Sequence, residues 1–431
     1  MRIAIVGGGA AGLFLAGLLD KEHRVTILEK NSSFGKKLKI TGKGRCNVTN
    51  NKLPVEFLQN VMVGAEFLTS AIQNFTPQGM IEYLQIGGVN ILEEDSNRIY
   101  PKSNKSQTII DFLENKLGDN VKVVFDTTVE SITHTSIIKS KNENLLSENL
   151  DNFITMANNH VYNFNAVIIA TGGATYSTTG SRGDGYKFAM ELGHSITSIR
   201  PSLVGLKLRN FIFQECQGTS FEAKLKIYEN EQSDNQSYYK TAGEDTRSVL
   251  AESSGSVMIT NFGIGGPSVQ ELTARYLQND ITNKTLVIDF VPQVDVVKLK
   301  KEIESYRNKN IFIFEWLCNY LPKKMAKVIC DVLVLHKVRC ATLSYSEQNR
   351  VVELLKNYKA NILGFDSMER ATVTRGGVSL HEINPLTMES KILPNLFFMG
   401  EVLNCDALSG GYSLQICWST AKLVADKLND V

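Results

Sequence analysis

The chain opens with RIAIVGGGAAG (residues 2–12), an apolar run that leads directly into a glycine-rich turn. The apolar run predicts a short buried strand, residues 13–19 predict a helix, and residues 25–28 predict a second strand that ends at Glu29. A strand, a G-x-G-x-x-G turn, a helix, a strand and an acid are typical of a dinucleotide-binding βαβ unit. The alternative is a glycine-rich turn without a ligand, but the flanking elements all favour the dinucleotide interpretation.

The three glycines of this motif have separate physical tasks. Gly7 permits the tight turn, Gly9 lets the backbone approach a pyrophosphate, and Gly12 allows helix and strand to pack closely. The N-terminus of the helix that follows Gly12 offers free N–H groups and a partial positive charge to the phosphates, next to Ala10 and Ala11 of the turn. Glu29 lies where a carboxylate accepts hydrogen bonds from ribose hydroxyls. We therefore predict that this segment binds the adenosine and pyrophosphate groups of a dinucleotide.

Length and charge narrow the class of protein. A chain of 431 residues is long for one compact domain, so we expect two or three. Its 46 basic and 45 acidic residues leave a net charge of +1, which gives no electrostatic case for a nucleic-acid or membrane partner, although a local patch is compatible with this total. No apolar run has the length of a bilayer-spanning helix. Because the N-terminal residues already read as the first strand of this unit, we expect no signal peptide.

Cysteine usage bears on the redox environment. The seven cysteines are odd in number and include no C-x-x-C pair, so we expect reduced thiols in a cytoplasmic protein rather than a disulfide framework. Cys318, Cys330 and Cys340 have no histidine or aspartate at ligand spacing, so we expect no metal site.

Two segments after the first βαβ unit contain further candidate contacts. Residues 30–50 read as a polar, glycine-punctuated loop, and its Lys37, Arg45, Asn47 and Thr49 are donors suited to phosphate or flavin edges. A solvated basic loop is the alternative for this segment. Residues 64–85 approximate one helical stripe of apolar positions.

A second strand end also carries glycines. The apolar strand at residues 166–170 runs into Thr171, Gly172 and Gly173. Ligands of doubly wound sheets lie beyond the carboxyl ends of the strands, so these glycines would let the strand end crowd a cofactor. A plain glycine turn is the alternative.

The rest of the chain divides by composition. After residue 195 the pattern changes to antiparallel strands, residues 293–363 are helical and charged, and the apolar strand pattern returns near residue 371. The turn GIGGPS (263–268) resembles a second nicotinamide-binding turn, but its third glycine is replaced by Ser268, so we expect a structural turn. Because the apolar strand pattern of the first domain returns near residue 371, we expect the final segment to rejoin that domain and the middle of the chain to be an insertion.

Nine short motifs, taken in order, are similar to those of a known family. They are GGGAAG (7–12), GKK (35–37), GRCNVTN (44–50), ATGG (170–173), NFGIGGP (261–267), TRGGV (374–378), MESK (388–391), GE (400–401) and GGYSLQ (410–415). In this order the chain resembles the BaiN/YhiN-like family of NAD(P)/FAD-dependent oxidoreductases, also labelled aminoacetone-oxidase-like, over nearly its whole length. Departures at Lys43, Arg182, Cys405 and Ala407 bear on substrate contacts rather than on FAD.

The resemblance implies an α/β fold. A Rossmann-like FAD/NAD(P)-binding domain is formed by both chain ends, and an inserted module has a β-barrel-like half and a helical half. We place the FAD domain at residues 1–194 and 367–431, the β-rich insert at 195–292 and the helical insert at 293–366. This agrees with the division made from composition.

The resemblance also implies which residues contact FAD. The glycine motif and Glu29 would hold the adenosine half, with the backbone of Val129 at the adenine. Residues expected at the ribitol, ring edge or phosphates are Lys30, Lys37, Arg45, Cys46, Asn47, Thr171, Gly172, Gly173, Gly400 and Glu401. The helix that begins with Ser413, Leu414 and Gln415 would place its positive end near the flavin N1–O2 edge.

The catalytic proton donor is the least determined residue. Cys46, Arg375 and Tyr412 are the candidates. A reactive Cys46 requires a lowered thiol pKa, for which the adjacent Arg45 is suggestive. The alternative for Cys46 is a loop whose backbone positions the cofactor.

Three classes of function follow from these motifs. The first is an FAD-dependent oxidoreductase of a small organic molecule, for which the resemblance implies reduction of a C=C bond with NAD(P)H as transient electron donor. The second is a flavoprotein redox sensor or binding module, and the third is a flavin-dependent RNA-modifying enzyme. The near-zero net charge argues against RNA. We expect no membrane partner, and the oligomeric state stays open.

Overall fold

The computed structural model describes residues 1–135, 153–230 and 248–430. The chain divides into two compact units: unit 1 contains Met1–Ser202 and Ala371–Val431, and unit 2 contains Leu203–Arg370. Both chain ends therefore belong to unit 1, with unit 2 inserted between them in sequence. The first boundary lies later than the sequence suggests because the strand at residues 196–202 pairs with the strand at 373–378 inside unit 1.

Elements are numbered along the chain, and unit 1 contains most of them. Its strands are β1 (Arg2–Val6), β2 (Arg24–Leu28), β3 (Thr49–Asn50), β4 (Val61–Val63), β5 (Ile91–Glu94), β6 (Arg98–Pro101), β7 (Val121–Val124), β8 (Val129–His134), β9 (Phe153–Ala157), β10 (His160–Phe164), β11 (Ala166–Ile169), β12 (Ile196–Ser202), β19 (Val373–Val378), β20 (Leu396–Phe398) and β21 (Asp406–Ala407). Its helices are α1 (Ala10–Ala16), α2 (Lys36–Gly44), α3 (Pro54–Leu58), α4 (Ala65–Asn74), α5 (Pro77–Ile86), α6 (Ser106–Glu114), α7 (Asp184–Glu191) and α13 (Tyr412–Asn429).

A five-stranded parallel sheet forms the centre of unit 1. Its strand order is β20-β11-β1-β2-β7. The register pairs Val6 with Leu28 on one side and with Ile169 on the other, and Ile169 in turn pairs with Phe398 of β20. Because these strands are parallel, their carboxyl ends meet at one edge of the sheet, where ligands of such sheets bind.

The two ends of the chain pack together beside this sheet. The ring of Phe14 in α1 lies 5.4 Å from the ring of Trp418 in α13, in an edge-on arrangement. The Trp418 indole Nε1 donates to the Val48 carbonyl oxygen at 2.9 Å. Both aromatic side chains are fully buried, so the C-terminal helix is part of the core of unit 1.

Unit 2 combines a barrel with helices. Its strands are β13 (Leu206–Arg209), β14 (Ser220–Glu229), β15 (Val249–Ile259), β16 (Gly263–Gly265), β17 (Lys284–Asp289) and β18 (Tyr358–Phe365). Its helices are α8 (Pro267–Arg275), α9 (Val296–Ser305), α10 (Ile313–Leu317), α11 (Lys323–Leu333) and α12 (Tyr345–Lys356). The barrel closes in the order β13-β16-β15-β14-β17-β18.

The second glycine-rich turn is structural, as predicted. Strand β16 pairs with both β13 and β15 of the barrel. A Cβ at Gly263 would lie 2.3 Å from the Leu206 carbonyl oxygen, so this position admits only glycine. The barrel and helices confirm the predicted fold class.

Two local predictions are wrong. Residues 30–50 were expected to form a loop but contain α2. The apolar side chain of Leu38 is buried and packs one turn of this helix against the core. The single helix expected over residues 64–85 is broken into α4 and α5. Thr76 caps α5 by accepting from the Gly79 N–H, and Pro77 follows as a first helical residue that cannot continue α4.

Candidate functional site

The glycine turn lies at the carboxyl end of β1 and leaves open space on one side. Gly7 has a φ of +107°, and a Cβ there would lie 2.7 Å from the Ala170 carbonyl oxygen. A Cβ at Gly12 would lie 2.0 Å from the Gly7 oxygen, so helix and turn are in direct contact. A Cβ at Gly9 would meet nothing within 4 Å. Two glycines therefore serve packing, and the third faces the space that a pyrophosphate requires.

Glu29 is held beside this turn by backbone and side-chain donors. It follows β2 and is 6% exposed. Its Oε2 accepts from the Gly8 N–H at 2.7 Å, and its Oε1 accepts from the backbone N–H and the Nδ2 of Asn31, both at 2.7 Å. The carboxylate is thus placed at the glycine turn, where the sequence predicts a ribose contact.

The segment that leads into β8 lies beside the backbone of Glu29 and Asn31. The Thr127 N–H donates to the Glu29 carbonyl oxygen at 3.0 Å, and the Asp126 N–H donates to the Asn31 oxygen at 3.1 Å. These two bonds bring the start of β8, and with it Val129, close to Glu29. The arrangement is compatible with an adenine contact at Val129.

Two more strand ends converge on a charged pair. Gly173 follows β11, and a Cβ there would lie 2.3 Å from the Thr374 Oγ1 and 3.0 Å from the Glu401 carboxyl carbon. The Glu401 Oε1 accepts from the Thr374 N–H at 3.0 Å. The Lys37 Nζ lies 2.6 Å from the Glu401 Oε2 and 2.9 Å from the Thr175 Oγ1. Lys37 and Glu401 are 364 positions apart in sequence, so only the fold brings them together.

The N-terminus of α13 faces the short strand β3. Its N-cap residue Gly411 has a φ of +94°, and a Cβ there would lie 2.4 Å from the Thr49 carbonyl oxygen. The Asn50 Nδ2 donates to the Gly410 oxygen at 3.0 Å. The first N–H groups of this helix, at Ser413 and its neighbours, have no acceptor within the helix and carry the positive end of its dipole.

Several predicted cofactor residues have protein partners instead. Arg45 pairs with Glu94, donates from Nε to the Asn104 Oδ1 at 2.8 Å, and lies 4.1 Å above the ring of Tyr100. Lys30 forms an ion pair with Asp184. These bonds occupy both cations within the protein, so their cofactor contacts stay predictions.

Gln415 is similarly engaged by the protein. Its Nε2 donates to the Phe75 oxygen and to the Ser419 Oγ, each at 2.9 Å, and its Oε1 accepts from the Thr49 hydroxyl at 2.6 Å. The side chain is fully buried. It joins α13 to β3 and to the end of α4, and its predicted cofactor contact stays a prediction.

The three proton-donor candidates differ in their surroundings. Burial raises the pKa of the Cys46 thiol to about 12, so the lowered pKa that a reactive thiol requires is absent. Arg375 forms a buried ion pair with Asp406, with Nε at 3.0 and 2.9 Å from the two carboxylate oxygens. Tyr412 is buried, and its ring lies 5.0 Å from that of Phe57.

Three residues at this edge were not predicted from the sequence. Asn31 and Thr175 lie two positions after Glu29 and Gly173, so proximity to the motifs was an available signal. Thr374 accepts from the Ala174 N–H at 2.8 Å although 200 positions separate them, and no local pattern indicates such a contact.

The residues at this edge fit a bound FAD. The open face of Gly9, the carboxylate of Glu29 and the helix end at Ser413 match its pyrophosphate, ribose and ring-edge groups in chemistry. The Thr171 Oγ1 and the Asn47 Oδ1 are buried without a hydrogen-bond partner among the described residues, which leaves polar atoms for a ligand. Within the described ranges there is no group of three metal-ligating side chains, and no helix is both long and apolar enough to cross a membrane.

Comparisons with known proteins agree with this geometry. The family model described as HI0933-like protein Rossmann domain matches residues 1–427. The chain is 27% identical to a 3-dehydro-bile acid delta(4,6)-reductase of Clostridium scindens, over 98% of this chain and 97% of that protein. It is 25% identical to a ribosomal RNA dihydrouridine synthase of Escherichia coli, again over 98% and 97% of the two chains.

A solved structure supports the fold alone. The 3-ketosteroid delta1-dehydrogenase of Sterolibacterium denitrificans is 11% identical, with a TM-score of 0.50 and 99% of each chain covered. Together with the family match, this confirms the Rossmann-type FAD-binding fold and the resemblance stated from the motifs.

Proposed function

Since the chain belongs to the HI0933-like Rossmann-domain family, we propose that it is an FAD-dependent oxidoreductase that reduces a C=C bond of a small organic substrate with electrons from NAD(P)H. The observation that carries the proposal is the convergence of Gly9, Glu29 and Glu401 at one edge of the parallel sheet, with the α13 N-terminus beside β3 of the same unit. The bile acid reductase that matches 98% of the chain supports the reaction class.

The names of two full-length relatives describe related chemistry. A delta(4,6)-reductase of a 3-dehydro bile acid reduces a C=C bond conjugated to a carbonyl group, and a dihydrouridine synthase saturates the C=C bond of uracil, which is also conjugated to a carbonyl. In both substrates the carbonyl takes up charge as a hydride adds to the far carbon. We therefore propose a conjugated C=C–C=O group as the substrate feature.

Residues of unit 1 bind and orient the cofactor in this proposal. Bound FAD supplies the hydride chemistry. Glu29 would accept hydrogen bonds from the ribose, Gly9 would admit the pyrophosphate, and the Lys37–Glu401 pair would offer a donor and an acceptor to ribitol hydroxyls. The α13 N-terminus stabilises negative charge at the ring edge by up to about 2 kcal/mol if partly buried. We do not assign the substrate proton to Cys46, because its buried thiol holds its proton too tightly.

Anaerobic mixing of the purified yellow protein with NADH and with NADPH tests the electron donor. We expect rapid loss of the oxidised-flavin absorbance with one of them, and its return on addition of a 3-oxo-Δ4,6 steroid with a saturated product by mass spectrometry. A flavin that stays oxidised for hours with both donors would favour the redox-sensor or binding-module alternative.

A second candidate substrate is a uracil base in RNA. Dihydrouridine synthases of Escherichia coli and Haemophilus influenzae match the chain at 25% and 24% identity over nearly all of its length. Incubation of the reduced protein with ribosomal RNA, followed by nucleoside mass spectrometry, tests this candidate. New dihydrouridine would support it, and its absence beside active steroid reduction would favour the small-molecule form.

A further inference from the structure

Positive charge is concentrated in one part of unit 2. The whole chain has a net charge of +1, but residues 295–339 contain ten lysines and arginines against five acids, a net charge of +5. This segment includes α9, α10 and α11. The rest of the protein is therefore acidic overall, and the whole-chain total conceals the separation.

The lysines of α11 lie on its solvent side. Lys323, Lys324 and Lys327 are exposed, whereas Met325 and Ala326 of the same helix are fully buried. The spacing of the three lysines, at i, i+1 and i+4, places them close together on the exposed side of the helix. Like charges at this spacing repel one another in the absence of a partner.

The described acids near these cations have other hydrogen-bond partners and form no salt bridge with them. Asp295 caps α9 by accepting from the Lys298 N–H at 2.7 Å, and Glu315 accepts from the Phe312 N–H at 2.9 Å. Glu302 accepts from the Tyr320 hydroxyl, and Asp331 pairs with His336. Within the described part of the chain, none of the ten basic side chains of residues 295–339 forms a salt bridge.

The Glu302–Tyr320 contact brings two groups of basic residues together. It joins the C-terminal half of α9 to the residues that precede α11. Lys301 is adjacent to Glu302, and Lys323 follows Tyr320 by three positions, and both lysines are exposed. Basic residues of the two helices therefore flank the partners of this contact in sequence. We call the exposed lysines Lys298, Lys301, Lys323, Lys324 and Lys327 the basic helical surface.

Aromatic rings lie beside two other lysines of residues 295–339, which are not part of the basic helical surface. The Lys309 Nζ lies 4.4 Å from the centre of the Tyr306 ring, and the Lys300 Nζ lies 5.7 Å from that of Tyr345. Tyr345 is 69% exposed, which is unusual for a large aromatic side chain. Cations beside exposed rings suit a polyanion that also presents flat bases, since the bases stack on the rings while lysines contact phosphates.

We propose that the basic helical surface binds the phosphate backbone of a structured RNA. The proposal rests on the second form of the proposed function, in which the reduced base is a uracil of RNA. An acidic membrane surface would use the same charge and is the alternative that the test must separate. RNA is favoured because two full-length relatives are ribosomal RNA dihydrouridine synthases and because lysines without salt bridges in one patch match its closely spaced phosphates.

The test measures binding of a fluorescein-labelled RNA hairpin to the FAD-loaded full-length protein by fluorescence anisotropy at several salt concentrations. We expect K323E/K324E/K327E to weaken binding at least tenfold and to lower the salt dependence of log Kd by about 2 to 3, as three lost phosphate contacts predict. K323Q/K324Q/K327Q should weaken binding less, which separates charge from misfolding.

The matched control reverses three exposed lysines of unit 1, in K21E/K102E/K122E. It has the same net charge as the first variant and should keep its RNA affinity within about twofold of the parent if the surface matters rather than the total charge. Equal losses in both triple variants, or full affinity in both unit 2 variants, would overturn the proposal.

Two further outcomes separate this inference from the proposed function. A parent protein that ignores the hairpin but binds phosphatidylglycerol vesicles through the same lysines would assign the surface to a membrane and overturn the RNA proposal. Flavin reduction by NAD(P)H is measured on the same samples. Loss of flavin reduction would count against the proposed oxidoreductase function. Flavin reduction that is retained without RNA binding would count only against the proposed role of the basic helical surface.

Discussion

Glu29 is the residue on which cofactor affinity depends most directly. Its carboxylate is buried and accepts three hydrogen bonds at 2.7 Å from Gly8 and Asn31, which orient it at the glycine turn. A glutamine keeps the shape but loses the charge and one acceptor. Hydrogen bonds to a charged group contribute about 1.5–3 kcal/mol.

We expect Glu29→Gln to weaken FAD binding by about tenfold to a hundredfold, because a ribose contact to a charged acceptor is lost. Titration of the apoprotein with FAD, followed by flavin fluorescence, gives the dissociation constant. Glu22→Gln, at an exposed residue of the same unit, is the control. A Glu29→Gln variant that is purified fully loaded and binds FAD as tightly as the parent would show that the ribose assignment is wrong.

His194 links stability to pH in unit 1. Its ring lies between the Glu382 carboxylate, 3.1 Å from Nδ1, and the Ser390 Oγ, 2.9 Å from Nε2. Burial lowers the pKa of His194, although the hydrogen bond to Glu382 and its charge oppose that shift. The folded protein therefore resists protonation of His194 more than the unfolded chain does.

We expect the free energy of unfolding to fall as the pH drops below about 6.5, the ordinary pKa of histidine, because the unfolded chain then takes up the proton first. Urea unfolding at several pH values measures this slope, which for one proton is at most about 1.4 kcal/mol per pH unit. His194→Gln should remove this part of the slope, whereas the exposed control His160→Gln should keep it. An unchanged slope in His194→Gln would refute the assignment.

At the scale of an element, the position of α13 depends on its N-cap residue, Gly411. Gly411 combines a left-handed φ of +94° with a Cβ position only 2.4 Å from the Thr49 carbonyl oxygen. Gly88 has a similar φ of +83°, but a Cβ there would meet nothing within 4 Å. The two positions therefore separate backbone strain from close packing.

We expect Gly411→Ala to lower the free energy of unfolding by at least about 2 kcal/mol and to weaken FAD binding, because the helix end must move away from β3. Gly88→Ala should cost about 1 kcal/mol, the strain of the left-handed backbone alone, and should leave FAD affinity unchanged. Denaturant titration and FAD titration measure the two effects. Equal losses in both variants would mean that the contact with Thr49 has no role in placing the helix.

At the scale of the whole molecule, the chain leaves unit 1 and returns to it at neighbouring positions of one strand pair. Strands β12 and β19 are antiparallel neighbours, and Ser202 pairs with Val373. The insertion therefore begins directly after Ser202 and ends shortly before its pairing partner Val373. All the residues that converge at the sheet edge belong to unit 1.

We expect a protein in which a short Gly/Asn linker joins Ser202 to Ala371 to fold and to bind one FAD, because the sheet, both chain ends and the candidate site lie in unit 1. Absorbance of the purified protein and FAD titration measure this. A soluble, helical and strand-containing product that remains colourless after reconstitution would contradict the location of the site.

The first βαβ unit and its acid follow from the sequence alone, because strand, glycine turn and helix are neighbours whose geometry is set by local sterics and hydrophobic spacing. The return of the C-terminal segment was also predictable, since GE (400–401) and GGYSLQ (410–415) repeat the pattern of glycines at strand and helix ends.

Tertiary structure alone determined the Lys37–Glu401 pair and the contact of Thr374 with Ala174, whose partners lie hundreds of positions apart. It also gave Arg45 and Gln415 the protein partners Glu94, Thr49 and Phe75. Pairings of this kind depend on strand register and side-chain packing, which no local pattern of residues encodes.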